Sequence, residues 1–169
     1  MRVLEYVPRG ASVLDIGAGH GVFAVLVRDR ASRVVAVEPD LRKVRRIDGI
    51  GFVAGYDDVI RSHFDVVTII DVLYKIPKRE WDALLDRIDA KTLIIKEQDP
   101  TARFKNSWNR IQERFASAIG LTLGESFSYE APAEFVARLK RHGFDDVEVK
   151  RIDRGYPHAH ILYIATLRT

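Results

Sequence analysis

Wholly apolar runs of strand length alternate along this chain with stretches in which apolar residues recur every three or four positions. The runs read as strands buried on both faces, and the stretches between them as helices that cover those faces. Residues 12–16 form the first such strand, and a helix follows a cluster of glycines, running through Phe23, Ala24, Val25, Leu26 and Val27 to about Arg30. The pattern then predicts a strand over 33–37, a short helix over 41–47 and a third strand over 51–54. Phe64-Asp65-Val66-Val67-Thr68-Ile69-Ile70 is apolar toward both sides, as a central parallel strand should be, and it stops at Asp71. Helical spacing over 81–88 leads into a fifth strand over 91–96. Phe104, Trp108, Ile111, Phe115 and Ile119 then make one apolar stripe on a helix whose other face is charged. A last helix over 133–141 closes at Gly143, and 147–152 and 161–166 pair as a terminal hairpin.

Alternating β and α units predict an α/β fold with a doubly wound, mostly parallel sheet, in which the hairpin makes the last strand antiparallel. Ligands of such sheets collect outside the carboxyl ends of the parallel strands. The loops at 15–21, 38–40, 56–58, 71–75 and 96–99 are therefore the candidate site. The sixth strand is parallel in this topology, so the hairpin turn at 154–160 emerges on the same edge and faces them.

The first of these loops carries the most specific chemistry. Asp15-Ile16-Gly17-Ala18-Gly19-His20-Gly21 follows an apolar strand and precedes a helix. Without a Cβ, the three glycines can take positive φ and bring backbone close to a ligand, while the amides that open the next helix offer donors. This is a cradle for a nucleotide cofactor. A dinucleotide fingerprint would place its third glycine one position later, at Val22, and would set no carboxylate beside the diphosphate it must hold. Asp15 occupies that neighbourhood, where it repels a diphosphate and favours an ammonium or sulfonium ligand. Glu38 ends the second strand about 20 residues beyond the glycine loop, a placement suited to accepting hydrogen bonds from two ribose hydroxyls.

Together with Val34-Val35-Ala36-Val37-Glu38-Pro39-Asp40, the glycine loop resembles the first two motifs of class I S-adenosylmethionine-dependent methyltransferases, and the resemblance covers nearly the whole chain. It implies a seven-stranded Rossmann-like sheet, S-adenosylmethionine as cofactor, and methyl transfer as the activity. It also implies that Gly17, Ala18, Gly19, His20 and Gly21 pack against the cofactor and that Asp15 reaches its methionine end. Glu38 would take the ribose hydroxyls with Pro39 beside it, and Asp57 or Asp58 would accept from the adenine amino group, with Tyr56 as an alternative contact. The strand ending in Asp71-Val72-Leu73-Tyr74 resembles the family's fourth motif, whose last residues line the cavity between cofactor and acceptor, which brings Asp71 to the cofactor as well. The chain departs from the family in three places. Lys75 stands where many relatives carry histidine, and no Pro-Pro-Tyr follows Asp71, the constellation used to methylate exocyclic amines of bases. Residues 1–10 supply less helix than most members have ahead of the glycine strand, so the acceptor side is expected to be open or completed by a partner chain.

Composition narrows the remaining choices. A length of 169 residues suffices for one domain with a proper core, so 1–169 is read as a single cofactor-binding domain. The absence of cysteine excludes disulfides and thiolate metal sites, and no metal is implied. Nothing near the amino terminus resembles the apolar core of a signal peptide, which leads us to expect a cytoplasmic protein. No apolar run approaches the ~20 residues of a membrane span. The net charge of +3 leans basic, but only Arg42-Lys43-Val44-Arg45-Arg46 concentrates it, and that reads as a solvated helix face. A small-molecule acceptor is thus expected rather than nucleic acid, in a monomer or a homo-oligomer.

Methyl transfer needs little acid–base chemistry, because the sulfonium is already activated and the protein chiefly has to align acceptor, methyl and leaving sulfur. For an acceptor that arrives protonated, the candidate bases are His158, Asp71 and Tyr74, with His160 and His20 also in the loops. Phe104, Trp108 and Tyr156 are the candidate acceptor-contacting residues, since helix 104–119 begins near the site and hairpin 154–160 faces it. A wall of that kind suits an aromatic, isoprenoid or lipid-like acceptor. The alternatives are methylation of RNA or protein, or a partner subunit that binds the cofactor without turnover.

Overall fold

The computed structural model describes residues 2–55, 62–99, 128–152 and 159–167. Its strands are β1 (Ser12–Ile16), β2 (Arg33–Val37), β3 (Ile50–Val53), β4 (Phe64–Ile70), β5 (Ala90–Gln98), β6 (Asp146–Arg151) and β7 (His160–Thr166). They form one seven-stranded sheet in the order β3-β2-β1-β4-β5-β7-β6. The first five pair in parallel, and β7 runs antiparallel between β5 and β6. The chain order reverses at β1, which has β2 on one side and β4 on the other. In an open α/β sheet such a reversal leaves a crevice at the carboxyl ends of the two diverging strands.

Alternate residues of the central strands enter two separate cores, which is why their sequences are apolar throughout. Leu14 and Ile16, Val35 and Val37, and Leu93 and Ile95 pack on one face with Trp81, Leu85, Phe135, Leu139 and Phe144. Val13, Val34, Ala36 and Ile94 pack on the other with Phe23, Ala24 and Val27 of helix α1 (Val22–Arg28), and with Val3 and Val7 from the amino-terminal segment. The first face is covered by α2 (Trp81–Leu85) and α3 (Pro132–Arg141). Helix α3 stops where Gly143 takes φ 87°. Gly143 N–H donates to Lys140 O at 3.1 Å and Phe144 N–H to Leu139 O at 3.2 Å, a paired closure that leaves Phe144 and Leu139 buried together.

Two expected helices differ from the structure. Residues 41–47 are not helical: a turn at 41–43 is followed by irregular chain. Asp40 Oδ1 accepts the Arg42 N–H at 3.2 Å and the Arg42 guanidinium at 2.8 Å, a side-chain closure that competes with helix initiation, and four cations within five residues repel one another. Helix α2 ends at Leu85 rather than 88, because Arg87 and Ile88 bond back three residues, to Leu84 O and Leu85 O, and tighten the turn into β5. The expected helix 104–119 lies outside the described residues. No helix among the described residues is long and apolar enough to cross a membrane.

Candidate functional site

Strand β1 ends in a loop that the backbone itself holds in place. Gly17 and Ala18 N–H groups both donate to Val37 O at the end of β2, at 2.8 and 3.0 Å, and Gly21 N–H donates to Ala18 O at 2.9 Å. Gly17, Gly19 and Gly21 have φ of 73°, 57° and 77°, the left-handed conformation that side chains resist. Their surroundings differ. A Cβ on Gly17 would lie 2.5 Å from Val72, and one on Gly21 would lie 2.9 Å from Phe52, so protein closes on both. A Cβ on Gly19 would meet nothing within 4 Å. Gly19 is thus the glycine that opens onto free space.

Glu38, buried at the end of β2, ties this loop to the next. Its Oε2 accepts the Gly19 N–H at 2.8 Å and its Oε1 accepts the Asp40 N–H at 2.9 Å. A carboxylate has about four acceptor positions, so two remain for a ligand's hydroxyls. Gly17, Ala18, Gly19, Glu38, Pro39 and Asp71 come together around an open cleft of about 800 Å³. The structure adds lining residues that sequence spacing did not indicate, notably Leu41, Arg42 and Ile76.

Asp15 and His20 stand apart from the cleft walls. The strand alternation that sends Leu14 and Ile16 to one core turns Asp15 to the other face, where it is 2% exposed. Register sets Thr68 of β4 directly across from it, and Thr68 Oγ1 donates to Asp15 Oδ1 at 2.9 Å. Burial raises the Asp15 pKa from 3.8 to about 7, partly offset by that hydrogen bond. The permanent negative charge expected here is therefore conditional on pH. His20 is exposed, with Nδ1 3.3 Å from Lys43 O. Thr68, the one hydroxyl in an apolar strand, was the available signal for a partner to Asp15.

On the far side of the crevice, the turn after β4 is pinned from β5. Asp71 takes φ 55°, unusual for a residue with a side chain, and its N–H donates to Lys96 O at 2.8 Å. Its carboxylate pairs with the ammonium of Lys96, which is 2% exposed, and lies 3.6 Å from His160 Nε2. Glu97 Oε1 accepts the next two amides, Val72 N–H at 3.2 Å and Leu73 N–H at 2.7 Å. Burial pushes the Glu97 pKa up to about 8. Tyr74 lines a small pocket, together with Trp81, Glu97, Tyr129, Phe135 and Tyr163. Its free volume of about 30 Å³ admits only a water-sized group. Lys96 and Glu97 are contributions that the sequence placed in a candidate loop without a role. Asp57, Phe104, Trp108, Tyr156 and His158, expected at the site, lie outside the described residues.

A family model described as a methyltransferase domain matches residues 1–149. The chain belongs to that family. This methyltransferase is of class I, and S-adenosylmethionine is its cofactor. Comparison with curated proteins finds no match. Solved structures share the fold at low identity. A SAM-dependent methyltransferase from Archaeoglobus fulgidus is 16% identical, with 98% of this chain and 90% of that chain covered and a TM-score of 0.73. A chain from the Haloferax volcanii complex between the Trm112 methyltransferase activator and a putative methyltransferase is 14% identical over 99% and 87%, at TM-score 0.76. Magnesium protoporphyrin IX methyltransferase from Synechocystis PCC 6803, solved with bound SAH, is 17% identical over 99% and 78%, at TM-score 0.71.

The residues around the cleft suit this cofactor. Glycine backbone opens onto the cavity at Gly19, and Glu38 keeps unused acceptor positions for a diol. Three cations, Arg42, Lys43 and Lys75, line the walls beside Glu38, Asp40 and Asp71. Arg42 occupies both Asp40 oxygens and Lys96 pairs with Asp71, which leaves Glu38 as the carboxylate placed to accept a ligand's hydroxyls.

Proposed function

We propose that this methyltransferase transfers the methyl group of S-adenosylmethionine to a small-molecule acceptor of aromatic, isoprenoid or lipid-like character. The observation that carries the reading is the cleft itself. At about 800 Å³ it falls in the size range of small-molecule sites, and apolar Leu41, Ile70, Val72 and Ile76 share its walls with three carboxylates and with the cations Arg42, Lys43 and Lys75. One structural neighbour is named for a small molecule, magnesium protoporphyrin IX, which agrees with this class of acceptor.

In this reading Glu38 holds the ribose hydroxyls, and the backbone of Gly17, Ala18 and Gly19, with Pro39, bounds the adenosyl group. Asp15 acts from beneath the loop as the negative partner of the cofactor's methionine end. When bound, the cofactor supplies a methyl group activated by a positively charged sulfur. The chain's own part is alignment. Asp71, set at the cleft edge by Lys96, orients the acceptor and receives its proton where the acceptor brings one.

The test is to incubate the full chain with methyl-labelled S-adenosylmethionine and panels of phenols, isoprenoids and lipids, and to follow label by mass spectrometry. Calorimetry compares S-adenosylhomocysteine with NAD in parallel. Label in a small molecule, with S-adenosylhomocysteine bound in preference to NAD, is expected. Label confined to RNA or protein would overturn the acceptor class, and preference for NAD would overturn the cofactor assignment.

A further inference from the structure

The β4 turn touches the glycine loop through one side chain. Val72 Cγ atoms stand 2.5 and 2.6 Å from where a Gly17 Cβ would be, so the isopropyl group lies directly on the Gly17 backbone. What holds Val72 there comes from the neighbouring strand. Glu97, 8% exposed on β5, accepts the amides of Val72 and Leu73 with a single oxygen, at 3.2 and 2.7 Å. Neither amide belongs to a regular helix or strand ladder that would supply another acceptor, because residue 72 precedes the 3-10 turn Leu73–Lys75. The Trp81 indole N–H closes the same turn from its other end, donating to Leu73 O at 3.2 Å and Ile76 O at 2.9 Å.

We propose that Glu97 is a positioning residue for cofactor binding: it fixes Val72 against Gly17 and so sets the gap between the glycine loop and the β4 turn. The proposal rests on the reading that S-adenosylmethionine occupies the cleft, whose walls include both Gly17 and Val72. Glu97 itself is not among the residues lining that cleft, so its effect travels through two amide hydrogen bonds and one van der Waals contact. Removing a buried acceptor leaves two donors unsatisfied, and the turn must shift to find others. Glutamine keeps an acceptor oxygen in the same place. Leucine keeps the bulk and none of the acceptor, and aspartate keeps the carboxyl group but falls one methylene short.

S-adenosylhomocysteine affinity of the full chain is measured by calorimetry for wild type, Glu97→Gln, Glu97→Asp, Glu97→Leu, Val72→Ala and the double variant Glu97→Leu with Val72→Ala. Glu97→Gln is expected within about twofold of wild type, and Glu97→Leu weaker by roughly tenfold or more. Glu97→Asp falls between them and tests the same point should Glu97→Leu not fold. Because Val72→Ala acts on the same contact, its effect should be much smaller in the Glu97→Leu background than in wild type. A purely structural role for Glu97 would lower the melting temperature without this coupling. Wild-type affinity in both Glu97→Asp and Glu97→Leu, or full additivity with Val72→Ala, overturns the proposal while leaving the cofactor reading intact. A wild-type chain that does not bind S-adenosylhomocysteine overturns the cofactor reading and this proposal together.

Discussion

Asp15 shows how one carboxylate changes meaning between sequence and fold. In the sequence it is an anion ahead of a glycine turn; in the fold it is sealed under the sheet beside Thr68, with a pKa raised to about 7. A ligand that brings positive charge to it binds the ionised form, and the protonated fraction counts as binding-incompetent. S-adenosylmethionine affinity should therefore rise roughly tenfold between pH 6 and pH 8, following the ionised fraction of a group titrating near 7. Asp15→Asn should remove this dependence and bind weakly at both pH values, which calorimetry at the two pH values checks. Glu38 kept the meaning it had in the sequence, a carboxylate at the end of a strand, and gained a second one. Its contacts to Gly19 and Asp40 make it a brace for the site as well as a candidate ribose acceptor. That second role is invisible in sequence, since it depends on two loops meeting.

At the scale of the element, the glycine loop is one turn with three unlike glycines. All three require positive φ, but only Gly19 faces open space. Gly17→Ala should cost about 2–5 kcal/mol of stability, combining left-handed strain with a methyl driven into Val72. Gly19→Ala should cost only about 1–2 kcal/mol, from strain alone, yet weaken S-adenosylhomocysteine binding by roughly tenfold because its methyl enters the cleft. Urea denaturation and calorimetry on the two variants separate these outcomes. The glycine spacing was legible in the sequence because the demand for φ above zero is local. Residues 41–47 lack such a local demand: Val44 and Ile47 supply only a fragment of an apolar face, and the Asp40 side chain takes over the amide and guanidinium of Arg42, so the expected helix does not form. The strands β1, β2 and β4 carried the clearest signal, since burial on both faces leaves little room for polar residues.

Across the whole molecule, carboxyl groups dominated by burial and carboxyl groups hydrogen-bonded to cations pull stability in opposite directions with pH. Asp15 rises from 3.8 to about 7 and Glu97 from 4.5 to about 8, so the folded chain keeps protons that the unfolded chain releases. Their joint effect is a loss of stability as pH climbs from about 4 toward 8. Asp65, held low by Lys91 and Ser12, and Glu130, held low by Arg138 and Lys78, act the other way. What they contribute is present above the ordinary carboxylate range and lost as pH falls through it. The cofactor-free chain should thus melt at a higher temperature near pH 5.5 than near pH 8, and Asp15→Asn combined with Glu97→Gln should flatten the alkaline decline. Thermal melts across that range provide the check.

By itself the sequence determined the alternation of strands and helices, the glycine turn, the carboxylate that ends β2, and from these the methyltransferase family. Each of those features is written in a few consecutive residues, by period, by tolerance of positive φ or by the chemistry of one side chain. Only the tertiary structure decided that Thr68 caps Asp15, that Lys96 meets Asp71, and that Glu97 holds the Val72 and Leu73 amides. Those pairings join residues 24 to 53 positions apart through strand register and shared burial, and register is fixed by how the whole sheet packs rather than by any single stretch of chain.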